Sequence, residues 1–101
     1  MSDHPTSGLN DVVHQKHRLG ILTIAAESKR VEFGYLKEVL ELTGGNLSRH
    51  LTVLVDAGLL AMEKGYDGRR PKTWVSITRA GRSALAEEMA ALRALVAKHG
   101  G

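Results

Sequence analysis

The sequence predicts a mainly helical α+β fold: a core of three helices, one small β-hairpin and a long final helix. Three observations predict it. Apolar residues recur at helical spacing over Leu9 to Ala25, Leu36 to Leu40 and Leu47 to Val55. Two short β-like runs, "LLAMEK" (Leu59 to Lys64) and "KTWVSI" (Lys72 to Ile77), flank "GYDGRRP", whose glycines and proline signal a hairpin with a long loop. Beyond them Leu85, Met89, Leu92 and Val96 alternate four and three apart, the spacing of a coiled-coil seam.

Taken in order, residues 1–8 ("MSDHPTSG") carry Pro5, Ser7 and Gly8 without apolar periodicity and read as a flexible tail. Leu9, Val12, Val13, Leu19, Ile21, Leu22, Ile24 and Ala25 then make a largely buried first helix ending near Glu27, with Gln15 to His17 as its breaking point. "VEF" at Val31 to Phe33 is long enough for one small strand. "GYLKEVLEL" follows as a second helix with Leu36, Val39 and Leu40 inward and Lys37, Glu38 and Glu41 outward. In "TGGNLSRHL" the glycine pair reads as a tight bend into a third helix that Thr43 caps through the backbone N–H near Asn46. Leu47, Leu51, Leu54 and Val55 form its inward stripe, and Gly58 stops it. Thr78 caps the last helix, which runs from Arg79 to about His99. The organisation expected is a tail over 1–8, a folded unit over 9–78 and a C-terminal helix over 79–101, with no internal repeat.

A chain of 101 residues supports one modest core. Its 14 Lys and Arg against 11 Asp and Glu give +3 and a pI near 9.5, mildly basic overall. The charge is concentrated at the hairpin, where Lys64, Arg69, Arg70 and Lys72 face Asp67 alone. The absence of cysteine excludes disulfides, thiolate metal sites and cysteine nucleophiles. The polar start has no apolar run of signal-peptide length, and no stretch approaches the ~20 apolar residues of a membrane span. A cytoplasmic location, away from membranes, is expected.

The stretches "RLGIL", "FGYLKEVLELTGGNLSRHLTVLVDAGLL", "KGYDGRRPKTWVSIT" and "TRAGRSAL", occurring together and in this order, resemble the winged helix-turn-helix repressors, in particular the short MarR-like and ArsR-like bacterial regulators. The resemblance covers roughly residues 14 to 86. It implies that 9–78 is a DNA-binding domain with a β wing, and that 79–101 is a dimerisation helix.

The residues support the same direction independently. Asn46, Ser48, Arg49 and Thr52 are left facing out on the third helix. Asn and Arg pair bidentately with adenine and guanine edges in the major groove of double-stranded DNA, and Ser or Thr bonds either base or phosphate. His50, beside the inward stripe, is assigned packing or phosphate bonding rather than base readout. Lys64, Arg69, Arg70 and Lys72 of the wing would neutralise phosphates or enter the minor groove, making binding strongly salt-dependent. Trp74 reads as a packing residue of the hairpin, since a single aromatic does not make a single-strand binder.

A homodimer is expected through Leu85, Met89, Leu92 and Val96, helped by Leu9, Val12 and Val13 of the first helix. His14 and His17 stand three apart, but two imidazoles without a thiolate or a clear carboxylate make a poor metal set, so no metal and no cofactor is expected. No convergent acid–base or nucleophile set suggests an enzyme. MarR-like regulators often bind small effectors between their DNA-binding and dimerisation parts. Here the dimerisation part is so small that any effector would act through the dimer geometry. The alternative class is a winged-helix protein–protein module, which needs neither a basic wing nor an outward Asn/Arg row.

Overall fold

The computed structural model describes residues 11–99; the tail expected over 1–8 and Leu9 lie outside them. The first helical run is broken as its sequence suggests, into α1 (Asp11–His14) and α2 (Lys16–Ala26). Gln15, in extended backbone, makes the break: its Oε1 accepts hydrogen bonds from the N–H groups of His17 (2.8 Å) and Arg18 (3.0 Å), capping α2. Val13, Ile21, Leu22 and Ala25 are fully buried.

Strand β1 is only Val31–Glu32, and Phe33, expected to extend it, instead opens α3 (Phe33–Val39). The bend before the third helix also differs from expectation. Gly44 and Gly45 form the first turn of α4 (Gly44–Asp56), and the chain reverses earlier, at Glu41, whose φ of 53° is left-handed. The N–H of Leu42 bonds the carbonyl of Lys37 (3.0 Å) and that of Glu41 bonds Glu38 (3.2 Å), the paired closure of a Schellman stop. Glutamate stands where glycine is usual, so no turn residue marked the position. Thr43 caps α4 as expected, with the Asn46 N–H donating to its Oγ1 at 3.1 Å. A second Schellman stop ends α4, Leu59 N–H to Leu54 and Gly58 N–H to Val55, both 2.9 Å, with Gly58 at φ 77°.

The hairpin is longer and tighter than its composition suggested. Strands β2 (Leu60–Asp67) and β3 (Arg70–Ile77) pair antiparallel from Leu60↔Ile77 to Asp67↔Arg70, leaving a turn of Gly68 and Arg69 in place of the long loop. Gly68, at φ 64°, supplies the positive φ that such a turn needs at its first central position. β1 adds to the other side of β3, through Val31↔Val75 and Glu32↔Trp74, so the sheet order is β1-β3-β2.

The final helix, α5 (Arg79–His99), starts at a knot of hydrogen bonds. The Thr78 hydroxyl donates to the Gly58 carbonyl (2.7 Å) and accepts from the Gly81 N–H (2.9 Å), while the Thr78 N–H bonds Leu59 (3.1 Å). Arg82 reaches back to the Ala26 carbonyl at the end of α2 (3.2 Å). Ala84 and Leu85 pack on the core, which collects Leu36, Leu47, Leu51, Leu54, Leu60 and Val75 between the helices and the sheet. Beyond this docked part α5 projects, so the molecule is 53 Å long but 25 by 22 Å across. None of the described helices is long and apolar enough to cross a membrane.

Gly81 is where α5 touches the start of β2 most closely: a Cβ there would run into the Leu59 carbonyl oxygen and stand 2.7 Å from Ile77 Cγ1. A Gly→Ala change inside a helix ordinarily adds about 1 kcal/mol of stability. Gly81→Ala should do the opposite, lowering the unfolding free energy by about 1–3 kcal/mol through overpacking, read as a lower urea midpoint at unchanged slope. A raised midpoint would show that α5 is not held this closely.

Candidate nucleic-acid interface

Helix α4 divides its faces sharply. Leu47, Leu51 and Leu54 are completely buried, each contributing about 1.5–3 kcal/mol by leaving water. Asn46, Ser48, Arg49 and Thr52 are all exposed on the opposite side. The Thr52 hydroxyl donates to the Ser48 carbonyl at 2.9 Å, so it offers outward chiefly an acceptor. Gly44 and Gly45 leave the first turn bare, with open space where side chains would stand. The face is therefore a short polar row ending at an uncovered helix terminus.

His50 sits on the flank of this row and is half-buried. Its ring lies 5.5 Å from that of His17 on α2. Burial holds its pKa below the ordinary imidazole value, and the charges of Arg18, His17 and Arg49 push it the same way. The neutral form of His50 is thereby favoured, with one ring nitrogen donating and the other accepting.

On the hairpin Lys64, Arg69 and Arg70 are exposed, Arg69 in the turn and Arg70 as the first residue of β3. Lys72 departs from expectation. Its Nζ is 3.1 and 3.3 Å from the two carboxylate oxygens of Glu32, and its side chain is only 25% exposed. The pair ties β3 to β1, so Lys72 already has its anion and is not a free phosphate ligand. Tyr66, within the stretch expected as loop, lies on β2 opposite Pro71 and is 74% exposed. Trp74 is half-buried with the Arg30 guanidinium 3.9 Å above its ring, a packing role as expected.

His14 and His17 do not converge. His14 Nδ1 is 2.7 Å from Glu88 Oε2, whereas His17 faces His50. Among the described residues no three His, Asp or Glu side chains gather in a metal-binding cluster. Glu88, a carboxylate on α5 with 1% exposure, is held against α1 by His14 and has no local sequence signature. Of the expected dimer residues, Leu9 lies outside the described residues. Val13 is enclosed by its own chain and has no surface to offer a partner, a correction that follows from α1 folding back onto the core. Val12 and Leu85 pack partly on that core. Met89, Leu92 and Val96 continue the stripe along the projecting half of α5, where Val96 is 64% exposed.

A capped helix with a buried leucine stripe, a polar outward row and a basic-tipped hairpin beside it is the arrangement of a winged helix. The family model described as a winged helix DNA-binding domain matches residues 17–96. The chain belongs to this family. It is similar to an uncharacterized protein of Methanocaldococcus jannaschii, 42% identical over 67 residues, covering 66% of this chain and 73% of that protein. Among solved structures it resembles a transcriptional regulator homologue from Pyrococcus horikoshii OT3, with 31% identity, a TM-score of 0.80 and 86% of each chain covered. It shares its fold with a MarR family transcriptional regulator from Rhodococcus sp. RHA1, 18% identical, TM-score 0.70, over 94% of this chain and 69% of that one. The winged helix-turn-helix fold is as the sequence indicated.

The Lys72–Glu32 pair separates two lysine and arginine positions that composition alone treats alike. Arg70→Ala should flatten the dependence of log affinity for duplex DNA on log salt by about one unit, as expected for one lost phosphate contact. Lys72→Ala should leave that slope nearly unchanged and instead lower the thermal midpoint, measured by the same salt titration and a melt.

Proposed function

We propose that the chain is a sequence-specific, double-stranded DNA-binding transcriptional regulator, a cytoplasmic repressor that binds a pseudopalindromic operator as a homodimer, rather than an enzyme. The observation that carries this reading is the exposed row Asn46, Ser48, Arg49 and Thr52 on a helix whose other face is fixed in the core. Its donors and acceptors match those of major-groove base edges, with Asn46 suited to adenine and Arg49 to guanine. Lys64, Arg69 and Arg70 would grip the flanking backbone and give register without sequence information. His50 stands beside the row as a phosphate contact.

The homodimer reading rests on α5. Met89, Leu92 and Val96, with Ala97 and the stem of Arg93, line an apolar groove on the projecting half of the helix. A second copy of the same helix would cover it, pairing two recognition helices across a two-fold axis. A regulatory signal, if one acts, would change the spacing of those helices.

Arg49→Ala should cost about 1–3 kcal/mol on the selected operator, relaxing preference at one position per half-site, while binding to random duplex falls much less. Equal loss on both would remove Arg49 from base readout. A charge at Leu92, as in Leu92→Glu, should halve the mass seen by light scattering while circular dichroism keeps the helical signal. A folded variant of dimer mass would move the interface elsewhere.

A further inference from the structure

The flank of α4 that meets α2 gathers basic groups from two helices. His17 and Arg18 open α2, and Arg49 and His50 lie on α4. The two imidazole rings are 5.5 Å apart, and the charges of Arg18, His17 and Arg49 all act on His50. Among the described residues none of these side chains is paired with a carboxylate; the ion pairs lie elsewhere, at His14–Glu88, Arg30–Glu63 and Lys72–Glu32. The Nε of Arg18 is buried and has no hydrogen-bond partner. Like charges brought together with an unused buried donor are costly for the protein alone. An anion seated beside the rings would offset the clustered positive charge of Arg18 and Arg49.

The position of the cluster says which anion. With 3.6 residues per turn, His50 lies about 100° around the helix from Arg49, beside the row that would face the bases and not within it. A helix lying in the major groove has its flanks against the phosphate backbone. We propose that His17, Arg18 and His50 form a seat for one backbone phosphate of bound duplex, and that filling the seat takes up a proton on His50. This rests on the DNA-binding reading above and adds α2 to the interface. The seat couples binding to pH with a definite sign. In the free protein the folded state disfavours charged His50, since burial and Arg18, His17 and Arg49 oppose it, so this residue's contribution to stability is present above the ordinary imidazole pKa and lost as pH falls through its lowered value. Gln15 adds no charge, although its Nε2 is 3.4 Å from His17 Nδ1. A phosphate supplies the missing negative charge and reverses the preference, so duplex binds more tightly at lower pH.

The test uses the full chain and a 30-base-pair duplex of random sequence at fixed ionic strength. Wild-type affinity should rise severalfold from pH 8 to pH 6, within the limit of about tenfold per pH unit for each proton taken up. H50Q should lose most of that gain, and H17Q part of it. NMR titration of the assigned His50 ring in the wild type gives a readout that does not depend on a variant folding: its midpoint should lie below the ordinary value in the free chain and rise on adding duplex. Binding that strengthens equally at low pH in H50Q, or a His50 midpoint unmoved by duplex, would overturn the seat and leave the DNA-binding reading standing. Millimolar inorganic phosphate that moves the midpoint as far, with duplex adding nothing, would overturn it in favour of a free-phosphate site. Failure of the wild type to retain any duplex at either pH in low salt would overturn the DNA-binding reading itself, and the seat with it.

Discussion

The burial of Leu47, Leu51 and Leu54 is the constraint on which the rest of the molecule depends. These side chains fix not only that α4 docks but how far it is rotated about its axis. With 3.6 residues per turn, a different docked face would turn Arg49 toward the core and a leucine toward solvent. The stripe therefore decides which side chains face outward. Thr43 and the Gly58 stop fix where the helix begins and ends, so the row is set along the axis as well as around it. A polar row can discriminate between bases only if it is held to within a fraction of an ångström, and here that rigidity comes from the core beneath it.

The hairpin and the last helix are attached to the same frame at one junction. Thr78 bonds Gly58 and Leu59, which close the end of α4, and caps α5 through Gly81. The close approach at Gly81 leaves no room for a side chain. The direction in which α5 leaves the domain is thereby referred to the end of α4. In the proposed dimer that link would matter, because the spacing between two recognition helices would depend on the angle between α4 and α5. The Lys72–Glu32 pair and the stacking of Arg30 on Trp74 stiffen the base of the hairpin, leaving Arg69 and Arg70 at a supported tip.

What was legible in the sequence was local. The cap, stripe and stop of α4 lie within sixteen consecutive residues, from Thr43 to Gly58, and each has its own side-chain signature. Thr78 and the break at Gln15 were readable for the same reason. The misreadings came where a distant partner or a backbone state overrode composition. Gly65, Gly68 and Pro71 made the hairpin look like a long loop, yet Pro71 is tolerated because β1 reaches only Trp74 and Val75, leaving β3 with one neighbour there. Glu41 adopts a left-handed turn without glycine, so the bend was assigned to the glycines that follow. Nothing local marks Glu88 or Lys72 as paired, because His14 and Glu32, which hold them, are 74 and 40 residues away. For the candidate site, the outward polar row could be named from its spacing. Its flank could not, since nothing local brings His17 and Arg18 to His50.

A hydroxyl-radical footprint on an operator selected from a random duplex pool tests the proposed dimeric binding directly. A dimeric reader should protect two half-sites related by a two-fold axis, with centres about one helical turn, ~34 to 36 Å, apart, matching two α4 helices held by paired α5 helices. Protection of a single unrepeated half-site, bound by one chain at full affinity, would contradict it.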